Sequence, residues 1–330
     1  MKRLLLLSLL ITFLLPVTVF AVHFQDLPPI TTAGVGAVRI SPRIIEGERV
    51  GGVSVSGEVP EVVGSEAFSA KIDEIIAKNI GDGTGTVDLS YKIVRSAEVL
   101  TIIFLTETVT PTGARSGRVS TLSVDIDSLN KVAVTDLLGG NGLRIATDIV
   151  NGFIGQNFRN MPRISTLDET AHFYVTNDAV HFVFDRYEIA PGSEGIQSVP
   201  VYFDNLKRYF LNEDDFHINE DNHGVRMLPL RRLAEQFDFD VTWVWDSDAR
   251  THEIRLSRAD NEGNGNGYVS LRLNENAYRR MHDITPRTLE SAPVIIGGIT
   301  FVPISFFEAI LDIHYNILAD GTIELTTYRQ

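Results

Sequence analysis

The sequence contains no cysteine. Disulfide crosslinks, thiol nucleophiles and a lipid-modified N-terminal cysteine are thereby excluded, and the fold has to rest on apolar cores alone. Basic residues are in deficit: 29 Lys and Arg stand against 43 Asp and Glu, a formal net charge of -14. That balance argues against nucleic acid or anionic lipid as partners, whose phosphates need cations to neutralise them, and favours cationic partners or simple solubility. The eight histidines include no His-x-His and no His-x-x-x-His spacing, so no copper or zinc ligand set is apparent. No Gly-x-Ser-x-Gly elbow, phosphate loop or dinucleotide fingerprint occurs either. These absences point to a protein without catalytic residues, cofactor or metal.

What is present begins at the N-terminus. Lys2-Arg3 precedes an uncharged apolar stretch from Leu4 to Leu15, then Pro16 and the small-residue pattern Val19-Phe20-Ala21. This is the layout of a secretory signal with cleavage expected after Ala21. The run is short of the about 20 residues needed to span a bilayer, and no later stretch is longer, so no integral membrane segment is expected. Secretion or residence at the cell surface follows, and loss of Lys2 and Arg3 takes the formal charge to -16.

The chain then divides. A polar, acidic, turn-forming run from Asn212 to Gly224 separates two patterned regions and reads as a linker. Upstream, Ser65 is placed to cap a helix whose apolar face is Phe68, Ile72, Ile75 and Ile76, stopped by Gly81. Strand patterns follow at Val87–Val94, Val99–Val109 and Val119–Ile126, then a second helix marked by Ile145, Ile149, Phe153 and Phe158 and ended by Pro162. Asn177-Asp178 joins two strand-like runs as a hairpin. Its inner face is Phe173, Val175, Val180 and Phe182, while Tyr174 and His181 are expected as a solvated pair on the other face.

Downstream lies an internal repeat. Val225–Phe237 aligns with Ile299–Leu311, each copy a short strand broken at a proline and followed by an apolar helical stripe: Leu230, Leu233, Ala234, Phe237, then Ile304, Phe307, Ile310, Leu311. Gly297-Gly298 and Asp320-Gly321 mark hairpins. The expected fold class is α+β, two domains each built from antiparallel sheet with helices packed on it. The expected bounds are a signal peptide at 1–21, a lead segment at 22–57, a first domain at 58–212, an acidic linker at 213–224 and a second domain at 225–330.

Two stretches carry family resemblances. Met227–Glu235, Val241-Thr242-Trp243 and Ala292–Pro303 together resemble the copper amine oxidase N-terminal-like, or stalk, domain of exported bacterial proteins. The departure lies after each helix, where the family usually has glycine and this chain has Asp238 and Asp312. Thr121–Asp127, Val132–Leu138 and above all Asp185–Ile196 resemble the RsiV-type envelope domain, with residues 58 to 108 similar to its usual companion segment. That domain forms the extracellular part of lysozyme-sensing anti-sigma factors and accompanies some peptidoglycan deacetylases. The resemblance implies a binding or interaction module for peptidoglycan or for a basic protein of lysozyme type. Without a membrane helix or cytoplasmic segment, the anti-sigma role does not carry over.

The candidate binding residues are Tyr187, Glu188, Pro191 and Glu194 in the Tyr-Glu-Ile-Ala-Pro to Glu-Gly run, although turn chemistry alone assigns Pro191 and the flanking glycines a structural role. Asp260, Glu262, Asn264 and Gly265 have the start of a calcium loop, but its twelfth position is Leu271 where a bidentate Glu belongs. The expected function is that of a non-catalytic exported cell-envelope protein. The alternatives are a cell-wall hydrolase or deacetylase using carboxylates, or a secreted lysozyme inhibitor.

Overall fold

Alternating apolar residues build the first sheet. The computed structural model describes residues 27, 30–50, 52–80, 85–219, 224–247, 250–258, 268–281, 283 and 285–328. The expected signal peptide, Gly81 and the loop from Asp260 to Asn266 lie outside them. Strands β1 (Ala33–Val35), β2 (Val38–Val50) and β3 (Val53–Val63) run antiparallel, helix α1 (Glu66–Ile80) crosses over, and β4 (Gly85–Arg95), β5 (Val99–Val109) and β6 (Arg115–Asp125) complete six strands in sequential order. β3 and β4 are parallel, so this sheet departs from the antiparallel expectation at one pair. A helical crossover is what permits it. The Phe68 N–H donates to Ser65 Oγ at 3.3 Å, and Phe68, Ile72 and Ile76 pack on Val87, Leu89, Tyr91, Leu100, Ile102 and Leu122. The lead segment is not separate from this unit: the expected boundary at 57/58 falls inside β3, which pairs with β2 along most of its length.

Helices α2 (Val134–Leu138) and α3 (Gly142–Asn157) lead to a second, three-stranded sheet of β7 (His172–Val175), β8 (Ala179–Phe184) and β9 (Gln197–Tyr202). Its inner face, Phe173, Val175, Val180, Phe182, Val199 and Val201, is covered by Ile145, Ile149 and Phe153 of α3. Its other face meets the large sheet, where Tyr174 and Val183 join Ile103 and Val119. The result is four layers: α1, large sheet, small sheet, α3.

The repeat dominates the second half. β10 (Leu206–Leu211) and β11 (His217–Asn219) precede the first copy, β12 (Val225–Pro229) with α4 (Leu230–Gln236). β13 (Phe239–Asp246), β14 (Thr251–Arg258), β15 (Val269–Arg272), β16 (Ala277–Arg280) and β17 (Arg287–Thr288) form a five-stranded antiparallel sheet. β18 (Val294–Ile296) turns at Gly297-Gly298, both at positive φ, into the second copy, β19 (Ile299–Pro303) with α5 (Ile304–Leu311), and β20 (His314–Ile317) and β21 (Ile323–Tyr328) follow. The two copies meet through their first strands, with Met227 opposite Pro303 and Pro229 opposite Phe301. Each proline is the last strand residue rather than the first helical one. Asp238 and Asp312 take the left-handed conformation, φ 62° and 58°, where the family's glycine would stand. Asp is among the few residues that visit that region, so the helix ends keep their form. Among the described residues the second half forms three sheets in place of the one expected.

The halves are joined by more than a linker. β10 pairs along its whole length with β21, and Leu211 belongs to the second core. Leu206 and Tyr328 pack against the first core. Glu324 on β21 is buried, 1% exposed, where its Oε1 accepts from Arg208 Nε at 2.6 Å and its Oε2 from the Gly140 N–H at 3.1 Å. Arg144 pairs with Glu308 across the same seam. Within the expected linker, residues 213–215 make a 3-10 turn and β11 pairs with β12.

Candidate recognition loop and flanking clefts

The segment from Asp185 to Ile196 connects β8 to β9 and is anchored at its start. The Val119 N–H, on edge strand β6, donates to Asp185 Oδ1 at 2.6 Å. The Asp185 N–H donates to Glu188 Oε2 at 2.8 Å, and the Glu188 N–H returns to the Asp185 carbonyl at 3.1 Å. These bonds turn the chain sharply and set Tyr187 at φ 72°, a region most side chains avoid. The Tyr187 ring then lies over Gly192: a Cβ there would come within 1.9 Å of Tyr187 Cε1, so any larger residue would displace the ring. Arg186 Nε donates to the Gly192 carbonyl at 2.6 Å, and its guanidinium sits 5.8 Å from the Tyr187 ring centre. Buried Gln197 closes the loop by donating from Nε2 to the Glu194 carbonyl at 2.6 Å.

The four residues singled out from the sequence all lie on this loop. Tyr187 is 65% exposed, and Glu188, Pro191 and Glu194 are exposed beside it. Partial burial pushes the Glu188 carboxyl above its usual range; the hydrogen bond from Asp185 opposes this and the Asp185 carboxylate adds to it. The loop therefore offers an exposed aromatic, with the Arg186 guanidinium beside its ring and exposed carboxylates at Glu188 and Glu194. Glu188 also lines a cleft of about 370 Å³ with Asp168, His172 and Asp185. Burial pushes His172 below its usual pKa, while Asp185 works against that shift.

A second cleft of about 410 Å³ opens on the other side of the loop, where Arg186, Gly195 and Ile196 face the ends of β4, β5 and β6. Asp88 and Glu107, cross-strand neighbours, line it with Arg115 and Arg118. The sequence reading missed these charges because strands distant along the chain bring them to the loop. None of Tyr187, Glu188, Pro191 or Glu194 lines this cleft.

Tyr174 and His181 sit differently from the expectation. They are register partners, but the large sheet covers them, so they are buried rather than solvated. Their rings stack at 4.5 Å and 6°. Tyr174 Oη shares a hydrogen bond with Ser198 Oγ at 3.2 Å, and His181 Nε2 one with Thr176 Oγ1 at 3.1 Å. Desolvation pushes His181 down to about 4, partly offset by Asp178, and burial raises Tyr174. Among the described residues no group of three or more His, Asp or Glu could hold a metal ion, and no helix is long and apolar enough to cross a membrane.

Residues 145–204 match the family model described as "Protein of unknown function (DUF3298)", and residues 218–321 match that of the "Copper amine oxidase N-terminal domain". Among solved structures, a DUF3298 family member from Bacteroides fragilis is 12% identical, covers 52% of this chain and 93% of its own, and superposes with a TM-score of 0.38. A DUF3298 family protein from Pseudomonas aeruginosa is 10% identical, covers 54% and 92%, and has a TM-score of 0.36. No protein of curated function matches.

Proposed function

We propose that this chain is a non-catalytic, exported protein of the bacterial cell envelope that captures a cationic protein of lysozyme type through the Asp185–Ile196 loop. The observation that carries the reading is the exposed Tyr187, at positive φ with its ring over Gly192, on a loop that also bears exposed Glu188 and Glu194. A preorganised tyrosine is an efficient anchor, because little side-chain entropy is lost on docking. Carboxylates around it suit a basic surface, and the formal charge of -14 favours encounter with one. The paired acids Asp185 and Glu188 are engaged as acceptors of backbone N–H groups, which supports a structural over a catalytic use.

A second reading has one observation of its own. Arg115, Arg118 and Arg186 line the cleft beside the loop, together with hydroxyls of Ser90, Thr106, Thr108 and Ser116. This suits a hydroxyl-rich, carboxylate-bearing wall polymer. The RsiV-type likeness of the loop is compatible with either ligand.

The test is a biosensor titration of the chain lacking residues 1–21 against lysozyme at low and physiological salt, with insoluble peptidoglycan sedimentation alongside. Saturable binding that weakens as the screening length shortens to about 8 Å at 0.15 M, and that drops at least tenfold in Tyr187→Ala, is expected. Cosedimentation without lysozyme binding would instead favour the polymer. Release of acetate or reducing sugar above a heat-inactivated control would overturn the non-catalytic reading.

A further inference from the structure

The chain has two tryptophans, Trp243 and Trp245, and both stand exposed on β13, at 40% and 57%. His252 on β14 lies edge-on to each, with ring centres 5.9 and 5.1 Å away. Large aromatic rings left in water forgo the stabilisation their burial would bring. Beside Trp243 opens a groove of about 640 Å³, whose opposite wall is the β18–β19 hairpin with Ile295, Ile299 and Phe301. Ile295 and Ile299 are themselves about half exposed.

β13 also ends its sheet beside this groove, with α4 packed near it. β13 is an edge strand of eight residues, and on the side away from β14 it meets no other strand among the described residues. Natural edges are guarded by lysine, proline, a bulge or short length. β13 has no lysine or proline, and its register with β14 is unbroken from Phe239 to Asp246. The edges β1, β11, β17 and β18 are only two or three residues long, and the long edge β6 is already engaged on its outer side by Asp185, Lys131 and Val132.

We propose that β13 accepts an extended, lysine-bearing segment of a partner protein as an added strand, whose apolar side chains enter the groove between Trp243 and Ile299. Main-chain bonding to the free edge would supply affinity, and the groove side-chain selection. The charge of the occupant follows from the ion pairs already made. Arg231, Arg232 and Arg272 are taken by Glu235, Asp215 and Asp246, whereas exposed Asp240 and Asp214 have no ion pair among the described residues. A second copy of the chain is the poorer fit. Antiparallel self-pairing about Trp243 would set Asp240 against Asp246, between two chains each carrying -14. The inference is independent of what the Asp185–Ile196 loop binds.

Because both tryptophans lie at the site, intrinsic fluorescence reads it directly. A short blocked peptide of alternating valine and lysine is titrated into the full chain, beside its valine–glutamate counterpart, a valine–lysine peptide N-methylated on alternate amides, and a chitin oligosaccharide. The expected result is a saturable blue shift with the valine–lysine peptide, weakened at least tenfold by N-methylation and by glutamate. Asp240→Lys, an exposed change that leaves the core untouched, is expected to reverse the preference between lysine and glutamate peptides. Trp243→Ala is expected to abolish binding. Equal binding of the N-methylated peptide, no shift with any peptide, or a shift with the oligosaccharide alone would each overturn the proposal.

Discussion

The rings of Tyr174 and His181 lie stacked 4.5 Å apart between the two sheets of the first half, directly opposite each other in register. Among the described residues His181 Nδ1 has no hydrogen-bond partner, and Nε2 shares one with Thr176 Oγ1, so the buried imidazole is held by a single polar contact beside the Tyr174 ring.

This arrangement sets a pH dependence. Burial holds the folded pKa of His181 at about 4, whereas an unfolded histidine titrates near the ordinary value of about 6.5. Below that value the unfolded state binds a proton that the folded state refuses. The contribution of the neutral ring is therefore complete above pH 6.5 and is lost as the pH falls towards 4, amounting to about 3 kcal/mol. Denaturant unfolding at pH 7 and pH 4.5 should show His181→Phe, which keeps a ring in the stack but cannot protonate, losing less stability than the parent.

Tyr187 is where the proposed binding can be told apart from the fold. Its positive φ costs about 1–2 kcal/mol for a side-chain-bearing residue, and glycine would relieve it. That relief is offset by loss of the ring's contacts with Gly192 and Arg186, so Tyr187→Gly is expected to leave the unfolding midpoint within about two degrees of the parent while, on the proposed function, removing lysozyme binding in the biosensor. Gly192→Ala, whose Cβ would collide with the Tyr187 ring, should lower both.

Glu324 tests the seam between the halves. Breaking a fully buried charge pair costs about 3–5 kcal/mol; because Arg208 is one third exposed, Glu324→Ala, which removes the acceptor of Arg208 and of the Gly140 N–H, is expected to cost about 2–3 kcal/mol. The exposed pair Arg231–Glu235 should matter little by comparison, with Glu235→Ala costing less than about 1 kcal/mol. Chemical denaturation of both variants ranks the two.

Limited proteolysis probes the same seam by another route. Cleavage is expected within 212–224, leaving two resistant fragments. Because β10 stays with the first and β21 with the second, the fragments should co-elute on native size exclusion and separate only in denaturant. Fragments that part without denaturant would show that this pairing contributes little.

Asp312→Gly is expected to stabilise by about 0.5–1 kcal/mol, since glycine adopts the left-handed conformation at φ 58° without steric cost. Asp312→Val, β-branched, should destabilise. Thermal unfolding of the two variants gives the sign.

Much of this architecture can be read locally. The helical stripes of both repeat copies, the Asn177-Asp178 hairpin and the Ser65 cap depend on residues a few positions apart, and each appears where that spacing puts it. β2 escaped notice because Pro42 and Gly47 interrupt it and few of its residues are buried. The burial of His181 has no local sign either, since the covering residues Ile103 and Val119 lie on strands far away in sequence. The loop at Asp185–Ile196 was legible through its turn residues, whereas Arg115 and Arg118 join it only through sheet packing.

The pairing of β10 with β21 also bears on how the chain comes into being. Arg208 and Glu324 are separated by 116 positions, so a ribosome releases β10 long before its partner exists. During that interval Leu206–Leu211 is an unmatched strand carrying Tyr209, Phe210 and Leu211, open to pairing with neighbouring molecules. A product truncated ahead of Ile323 would stay in that condition permanently. Premature termination near the 3′ end of the message should thus yield aggregates, not a shortened working protein.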